Sequence, residues 1–385
     1  MPKIKTLIVH PALAPYRVDL FNQLAQEVDL HIVFLQDYIS YYPKLNQNNL
    51  KISLRCRYQI LQSGISLKNR TFPIGLNHIM REFNPDVIVT HEFSNSTLWI
   101  MLQRILFKKE RYAHVLWTTE NVPMFKKRRF IRRGLRKLCS SSVHSLLVYS
   151  DEIAKEFVHH FGIPQEKIYI CANLQDEKIF RSKLAQALRI VPQYINDYQL
   201  GGKKVILYVG RLDTKKNLKM LIESFAQVSI KEPSAILTFV GDGPERKSLE
   251  LRAKRCGLSH KVYFIGHCEG YNLLFWYVIG SFLVLPSTWE PYGAVVNEAL
   301  LSGMPVLCSS EAGARVLIQD GKNGYVFNPY DVNVLSNLLE KMLMDVPSIE
   351  ASEVNVRESL MPISFDRDLN SFMNAVQYAA KQVGA

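Results

Sequence analysis

Residues 282–300 read Phe282-Leu283-Val284-Leu285-Pro286-Ser287-Thr288-Trp289-Glu290-Pro291-Tyr292-Gly293-Ala294-Val295-Val296-Asn297-Glu298-Ala299-Leu300. Four apolar residues in a row predict a strand buried on both faces, as in a parallel sheet. Pro286 ends the strand, and a helix is predicted from Ala294 to Ser302, stopped by Gly303 and Pro305. Strand, loop and helix in that order form part of a βαβ unit, so the flanking chain should alternate in the same way.

Working outward, it does. Upstream lie Val205–Val209, a helix pattern from about Asn217 to Ile230, Ala235–Val240, a helix pattern from Glu245 to Cys256, and Val262–Ile265; downstream lies Val306–Cys308. The first half repeats the alternation with Leu7-Ile8-Val9, His31–Leu35, Asp86–Thr90, Val115–Thr118 and Leu146–Ser150. The stretch 176–203 loses the pattern and ends in Gly201-Gly202. With 385 residues, more than one core usually organises, this predicts an α/β protein of two doubly wound, Rossmann-like parallel-sheet domains facing across a cleft. The expected boundaries are 1–175, a linker at 176–203, 204–360, and a C-terminal helix in 361–385, N-capped by Ser364 and packing back toward the first domain.

Composition narrows the classes. Hydrophobic residues at 48% and ordinary Gly and Pro counts exclude disordered and collagen-like chains. Six cysteines without a Cys-x-x-Cys indicate neither a disulfide framework nor a zinc cluster, and fit a reducing cytoplasm. The N-terminus enters a β-rich run without a secretory pattern, and the longest apolar stretch, Leu273–Leu285, is too short to span a bilayer and reads as a buried helix running into a buried strand. Net charge is +12, and it is lopsided: residues 1–175 hold 24 Lys and Arg against 13 Asp and Glu, residues 176–385 hold 23 against 22. One half is expected to face something anionic.

Chemistry is expected just past the strands, where open α/β sheets bind ligands. Gly293 allows close approach of a ligand, and the N–H groups at the start of the following helix, at Ala294 and Val295, suit an anion such as a diphosphate. Glu290 and Glu298 flank that point and can accept hydrogen bonds from hydroxyls, although isolated glutamates are usually solvated. Arg211 and Lys216, in the loop after Val205–Val209, can neutralise a diphosphate leaving group.

The ordered set resembles the signature of glycosyltransferase family 4, whose members have the GT-B fold. It comprises Glu290-x7-Glu298 preceded by Pro-Ser and followed by Gly-Met-Pro-Val, Gly210-Arg211-Leu212 with Lys216, Val240-Gly241-Asp242-Gly243-Pro244-Glu245, Phe264-Ile265-Gly266-His267, and glycine turns at Gly313, Asp320-Gly321 and Asn323-Gly324. The resemblance covers about residues 204–331. It implies that Arg211 and Lys216 hold the donor diphosphate, that Gly241, Gly243 and His267 lie near the nucleotide, that Glu298 holds the ribose and Glu290 a sugar hydroxyl. Gly241 and Gly243 can equally be turn glycines. The implied enzyme is a retaining glycosyltransferase of hexosyl type that uses a nucleotide-diphosphate sugar as co-substrate and needs no metal or other cofactor. Asp366-Arg367-Asp368 falls in the first turn of a helix, where acids complement the dipole, and is not read as a metal site.

In the first half, His10-Pro11-Ala12-Leu13-Ala14-Pro15-Tyr16-Arg17 is similar to a Pro-Tyr-Arg variant of the family's loop after its first strand; Arg17 there touches a phosphate or an acceptor, or simply starts a helix. His91 resembles the histidine after a family strand, and Trp117-Thr118-Thr119-Glu120-Asn121 sits where many relatives have a strand ending in a histidine that faces the donor sugar; this chain departs from that pattern, and His91 and Glu120 are the catalytic candidates here. Residues 125–138 hold eight cations and no acid, interleaved with Phe130, Ile131, Leu135 and Leu138. Such a helix suits an anionic membrane surface along Lys126–Lys137, against the alternative of packing on its own domain; no nucleic-acid-binding module is present. The expected acceptor is a saccharide or a polyprenyl- or other lipid-linked saccharide, in surface polysaccharide or glycolipid synthesis, at the inner face of the membrane. The competing readings are a GT-B phosphorylase or epimerase, and a catalytically silent scaffold that binds membrane or nucleic acid.

Overall fold

The computed structural model describes residues 2–37, 47–61, 65–67, 70–107, 112–126 and 130–384. Two compact units result: residues 1–175 with 365–385, and residues 176–364.

The first unit contains β1 (Lys5–His10), β2 (Asp29–Phe34), β3 (Arg57–Ile60), a small antiparallel pair β4 (Ile65–Leu67) and β5 (Arg70–Phe72), then β6 (Val87–His91), β7 (Ala113–Trp117), β8 (Ser145–Val148) and β9 (Ile168–Ile170). Seven of these form a parallel sheet in the order β3-β2-β1-β6-β7-β8-β9. The apolar runs read from sequence are its central strands; Leu7, Ile8, Val87, Ile88, Val115 and Leu116 are wholly buried. A typical helix here is Asp151–Phe161: Ser150 caps it by accepting from the Ile153 N–H, and Ile153, Ala154, Phe157 and Phe161 form its buried face.

The C-terminal helix, Phe365–Gln382, belongs to this unit. Phe372 meets Trp117 edge-on, the Ser145 hydroxyl donates to the Ala375 carbonyl at 2.9 Å, and Asp368 accepts the Leu174 N–H at 3.2 Å. Asp368 is therefore more than a dipole complement: it is buried and ties the helix to the chain after β9.

The second unit contains β10 (Lys204–Val209), β11 (Ala235–Val240), β12 (Val262–Gly266), β13 (Phe282–Leu285), β14 (Val306–Ser309) and β15 (Gly324–Phe327), in a parallel sheet ordered β12-β11-β10-β13-β14-β15. Strand order reverses between β10 and β13, and the register Leu207↔Leu283 brings the ends of these strands level. β15 lies where the sequence suggested only turns. Its first residue is Gly324, where a Cβ would fall 1.9 Å from the Val306 carbonyl oxygen, so close strand approach explains the glycine.

The stretch 176–203, expected as a linker, is helical and part of the second unit. Asp176 caps the helix Glu177–Ala187, which buries Phe180, Leu184 and Ala187 at helical spacing; the helix Val191–Asp197 follows. Rings of Phe180 and Tyr277, and of Tyr194 and Phe275, pack at 6.3 and 4.8 Å. Polar residues between these positions hid the 3.6-residue period. Unit one resumes at Phe365 rather than 361.

Burial pushes the Asp368 carboxyl up to about 6, against the lowering effect of the backbone N–H groups it accepts. In the unfolded chain it titrates near ~3.9. The native state then holds the proton more tightly, so stability should fall as pH rises from about 4 through about 6. Asp368→Asn should lack that component: its thermal midpoint relative to wild type should rise between pH 4 and pH 7, and a constant difference across this range would refute the assignment.

Candidate active site

At the carboxyl end of the second sheet, the loops after β10 and β13 meet. The loop after β10 passes through a 3-10 turn, Thr214–Lys216, whose start is capped by Asp213 accepting from the Lys215 N–H at 3.1 Å. The loop after β13 leads into the helix Ala294–Leu301. Thr288 donates its N–H to the Lys215 carbonyl at 2.9 Å, and Lys215 lays its ammonium 4.4 Å from the centroid of the Trp289 ring. Lys216 and Glu290 form an ion pair between the loops; both side chains are less than a fifth exposed. Backbone bonds from Gly313 to Glu290 and from Ala314 to Tyr292 fasten the second loop to the segment after β14.

Gly293 starts the helix with φ 99°, and a Cβ there would lie 2.7 Å from Leu285 Cδ2. Both the left-handed backbone and the tight packing demand glycine. The helix thus begins beside the Lys216–Glu290 pair, with Ala294 and Val295 supplying N–H groups that have no partner four residues back by construction. Glu298, one turn on, accepts from the Tyr277 hydroxyl at 2.5 Å. Burial, then the charge of Glu298, raises the Tyr277 phenol well above its ordinary value, so it stays a donor. Nothing in the sequence singled out Tyr277; it lay inside an apolar run read as core.

The other candidates are distributed as follows. Arg211 is exposed at the end of β10, its guanidinium 4.0 Å from the Asp213 carboxylate and its carbonyl held by the Tyr208 hydroxyl. His267, just past β12, is exposed and paired with Glu269 at 2.9 Å. Gly241 and Gly243 have a backbone reason for being glycine. A Cβ on Gly241 would fall 1.9 Å from the Gly210 oxygen, and one on Gly243 2.3 Å from the Leu212 oxygen. Hydrogen bonds from Gly210 to Val240 and from Leu212 to Asp242 zip these two loops together. That contact by itself requires glycine at both positions.

His91 and Glu120 lie in the first unit, His91 against the rings of His10 and Trp117. Glu120 is 1% exposed, and its carboxylate takes the Arg136 guanidinium at 2.9 Å. Glu92, next to His91, accepts the Thr119 N–H at 2.7 Å with φ 59°, and burial raises its carboxyl above the usual range. Burial, with His10 and Arg17 nearby, lowers His91 well below an ordinary imidazole, so it is neutral. Among the described residues no cluster of three or more His, Cys, Asp or Glu could hold a metal ion.

Two doubly wound parallel sheets, one carrying this assembly at its switch point, define the class as GT-B. Solved structures agree across nearly the whole chain. An Anabaena protein, HepE, solved with UDP, superposes with a TM-score of 0.68 at 17% identity, covering 99% of this chain and 96% of that one. A lipopolysaccharide outer core galactosyltransferase gives 0.67 at 17%, covering 97% and 99%. Residues 192–358 match the family described as glycosyl transferases group 1. An uncharacterised glycosyltransferase of Methanocaldococcus jannaschii is 27% identical over 62% of this chain and 61% of its own. The alpha-monoglucosyldiacylglycerol synthase of Streptococcus pneumoniae is 25% identical over 74% and 65%. The chain spans about half the length of most curated relatives it matches.

The Gly241–Gly210 contact can be tested directly. Gly241→Ala should destabilise the fold by more than ~2 kcal/mol, because the new methyl meets a backbone oxygen that cannot rotate away. A urea midpoint within error of wild type would contradict the packing described.

Proposed function

We propose that this protein is a retaining glycosyltransferase that moves a sugar from a nucleotide-diphosphate donor to a saccharide or lipid-linked acceptor. The observation that carries the reading is the Lys216–Glu290 pair seated beside the glycine-opened start of the helix Ala294–Leu301. A diphosphate laid there meets the Lys216 ammonium, the Arg211 guanidinium and the helix N–H groups, all placed to take the negative charge that grows on a leaving diphosphate. On this reading Lys216 turns from Glu290 toward phosphate as the donor binds, and Glu290 is released to hold a sugar hydroxyl. Glu298, oriented by Tyr277, takes the ribose hydroxyls. The acceptor attacks on the face the diphosphate leaves, which retains the anomeric configuration. Because these cations stabilise the leaving group, no metal is required. The reading is supported by relatives named as kanosaminyl and sulfoquinovosyl transferases and by the UDP bound to HepE.

The acceptor side of the proposal is a membrane surface. In the first unit the helices Asn95–Phe107 and Phe130–Ser142 are joined by Arg104, which donates to the Ser142 carbonyl at 2.7 Å. They expose Trp99, Leu102, Ile105, Leu135 and Leu138, alongside the exposed cations Arg132 and Lys137. Apolar side chains with cations beside them suit an anionic bilayer, each cation contributing ~1 kcal/mol near the surface. Arg136 and Lys126 are engaged with Glu120 and Glu156, and Lys127, Arg128 and Arg129 lie outside the described residues. No helix among the described residues is long and apolar enough to cross a membrane, and the six cysteines are free thiols. The proposed place of action is the cytoplasmic face.

Two experiments test this. With labelled nucleotide sugars, wild type should release nucleotide, in chelator as in its absence, and folded Lys216→Ala should lose at least about 100-fold in turnover, the scale expected when one preorganised charge is removed; unaltered turnover in the variant would refute the site. Leu138→Ser combined with Lys137→Glu should abolish cosedimentation with vesicles containing phosphatidylglycerol, and retained binding would remove the membrane surface from the proposal.

A further inference from the structure

The first sheet has its own reversal of strand order, between β1 and β6, and the donor chemistry leaves it unused. The register Val9↔Thr90 brings His10 level with His91, and their imidazole centroids are 4.4 Å apart. Trp117, ending β7, lies 5.7 Å from His91 and 6.1 Å from His10. Arg17, in the 3-10 turn Pro15–Arg17, lays its guanidinium carbon 3.7 Å from the centroid of the Trp117 ring and is 1% exposed. The alternative of an exposed helix-start residue is thereby excluded.

Several polar atoms of this cluster have no partner among the described residues. Arg17 donates from Nη2 to the Tyr149 hydroxyl at 3.3 Å, while Nε and Nη1 have no acceptor. Trp117 Nε1 and both nitrogens of His91 also lack partners. His10 Nδ1 lies 2.8 Å from the Ala12 carbonyl, which assigns the proton to Nδ1 and leaves Nε2 a lone pair with no donor. Burial, with Arg17 beside it, lowers His10 to about 3, consistent with a neutral ring. The buried acid that feels Arg17, Asp368, accepts from the Ala172 and Leu174 N–H groups instead. Native interiors satisfy nearly all their buried polar groups, so six side-chain nitrogens without a protein partner, two of them on the buried guanidinium itself, call for a complement from outside the described residues.

We infer that this cluster recognises an oxyanion with a hydroxyl close by, the chemistry shared by a phosphate monoester and a uronate carboxylate. Arg17 Nε and Nη1 and Trp117 Nε1 donate to the oxyanion, and His10 Nε2 accepts from the hydroxyl. Assigning the group to the acceptor rests on the transferase reading; the binding itself does not.

The test uses the full chain, with glycerol 3-phosphate and glucuronate as separate probes at constant ionic strength and glycerol and glucose as neutral controls. One of the anions should raise the thermal midpoint and move the imidazole nitrogen resonances of His10 and His91, in wild type and in Lys216→Ala alike; which one succeeds identifies the source. Arg17→Gln should bind it at least tenfold more weakly while keeping the stabilisation by UDP that Lys216→Ala loses. The inference is overturned if neither anion moves those resonances in the wild-type protein, a measurement that needs no variant to fold, or if Arg17→Gln binds as tightly as wild type. Failure of UDP to stabilise any form would count against the transferase reading and leave the oxyanion site standing.

Discussion

The pairing of Lys216 with Glu290 fixes the relation between the loops that follow β10 and β13, and the candidate site follows from it. A charged pair this far withdrawn from water is costly unless both partners are held in good geometry. Here the holding is done by backbone: Thr288 bonds to Lys215 on one side, and Gly313 and Ala314 bond to the Glu290 loop on the other. The pair therefore sits in a frame that survives exchange of its partner. In the proposed reaction a diphosphate takes the place of the carboxylate opposite Lys216, and the backbone bonds of the loops do not involve that contact.

The frame has a steric foundation. Gly241 and Gly243 pass against the backbone of Gly210 and Leu212 with no room for a side chain, which holds the ends of β10 and β11 at backbone distance. Gly293 does the same for the start of the helix against Leu285. Glycine in this unit is thus less a source of flexibility than a condition for close packing. Lys216 and Glu290 project from that rigid base, which is what the proposed stabilisation of a leaving group requires. The first unit uses a different device at its own strand reversal, burying aromatic rings and one guanidinium rather than packing glycine against backbone.

Much of the fold was legible because parallel strands buried on both faces are written as unbroken apolar runs. Phe282–Leu285 and Val205–Val209 could be read for that reason. The short edge strand β15 could not, since it opens with glycine and owes its place to β14. The helices in 176–203 were missed because their apolar residues are thinly spaced and gain meaning only against the helix Tyr271–Ile279. Within the site, Lys216, Glu290, Gly293 and Glu298 could be named from their order along the chain. Tyr277 could not, since a tyrosine in an apolar run looks like core until the carboxylate it serves is known.

The sequence alone determined the two-fold alternation of strands and helices, the side chains offered after β10 and β13, and the uneven charge, because each is a property of local pattern. Tertiary structure decided the partners. Glu120 is paired with Arg136, Gly241 packs on the Gly210 backbone, and Arg17 is folded inward against Trp117 with Nε and Nη1 unmatched among the described residues. These outcomes join residues 16, 31 and 100 positions apart. No local propensity encodes such meetings; they are set when sheets close and each buried polar group must find a partner or go without.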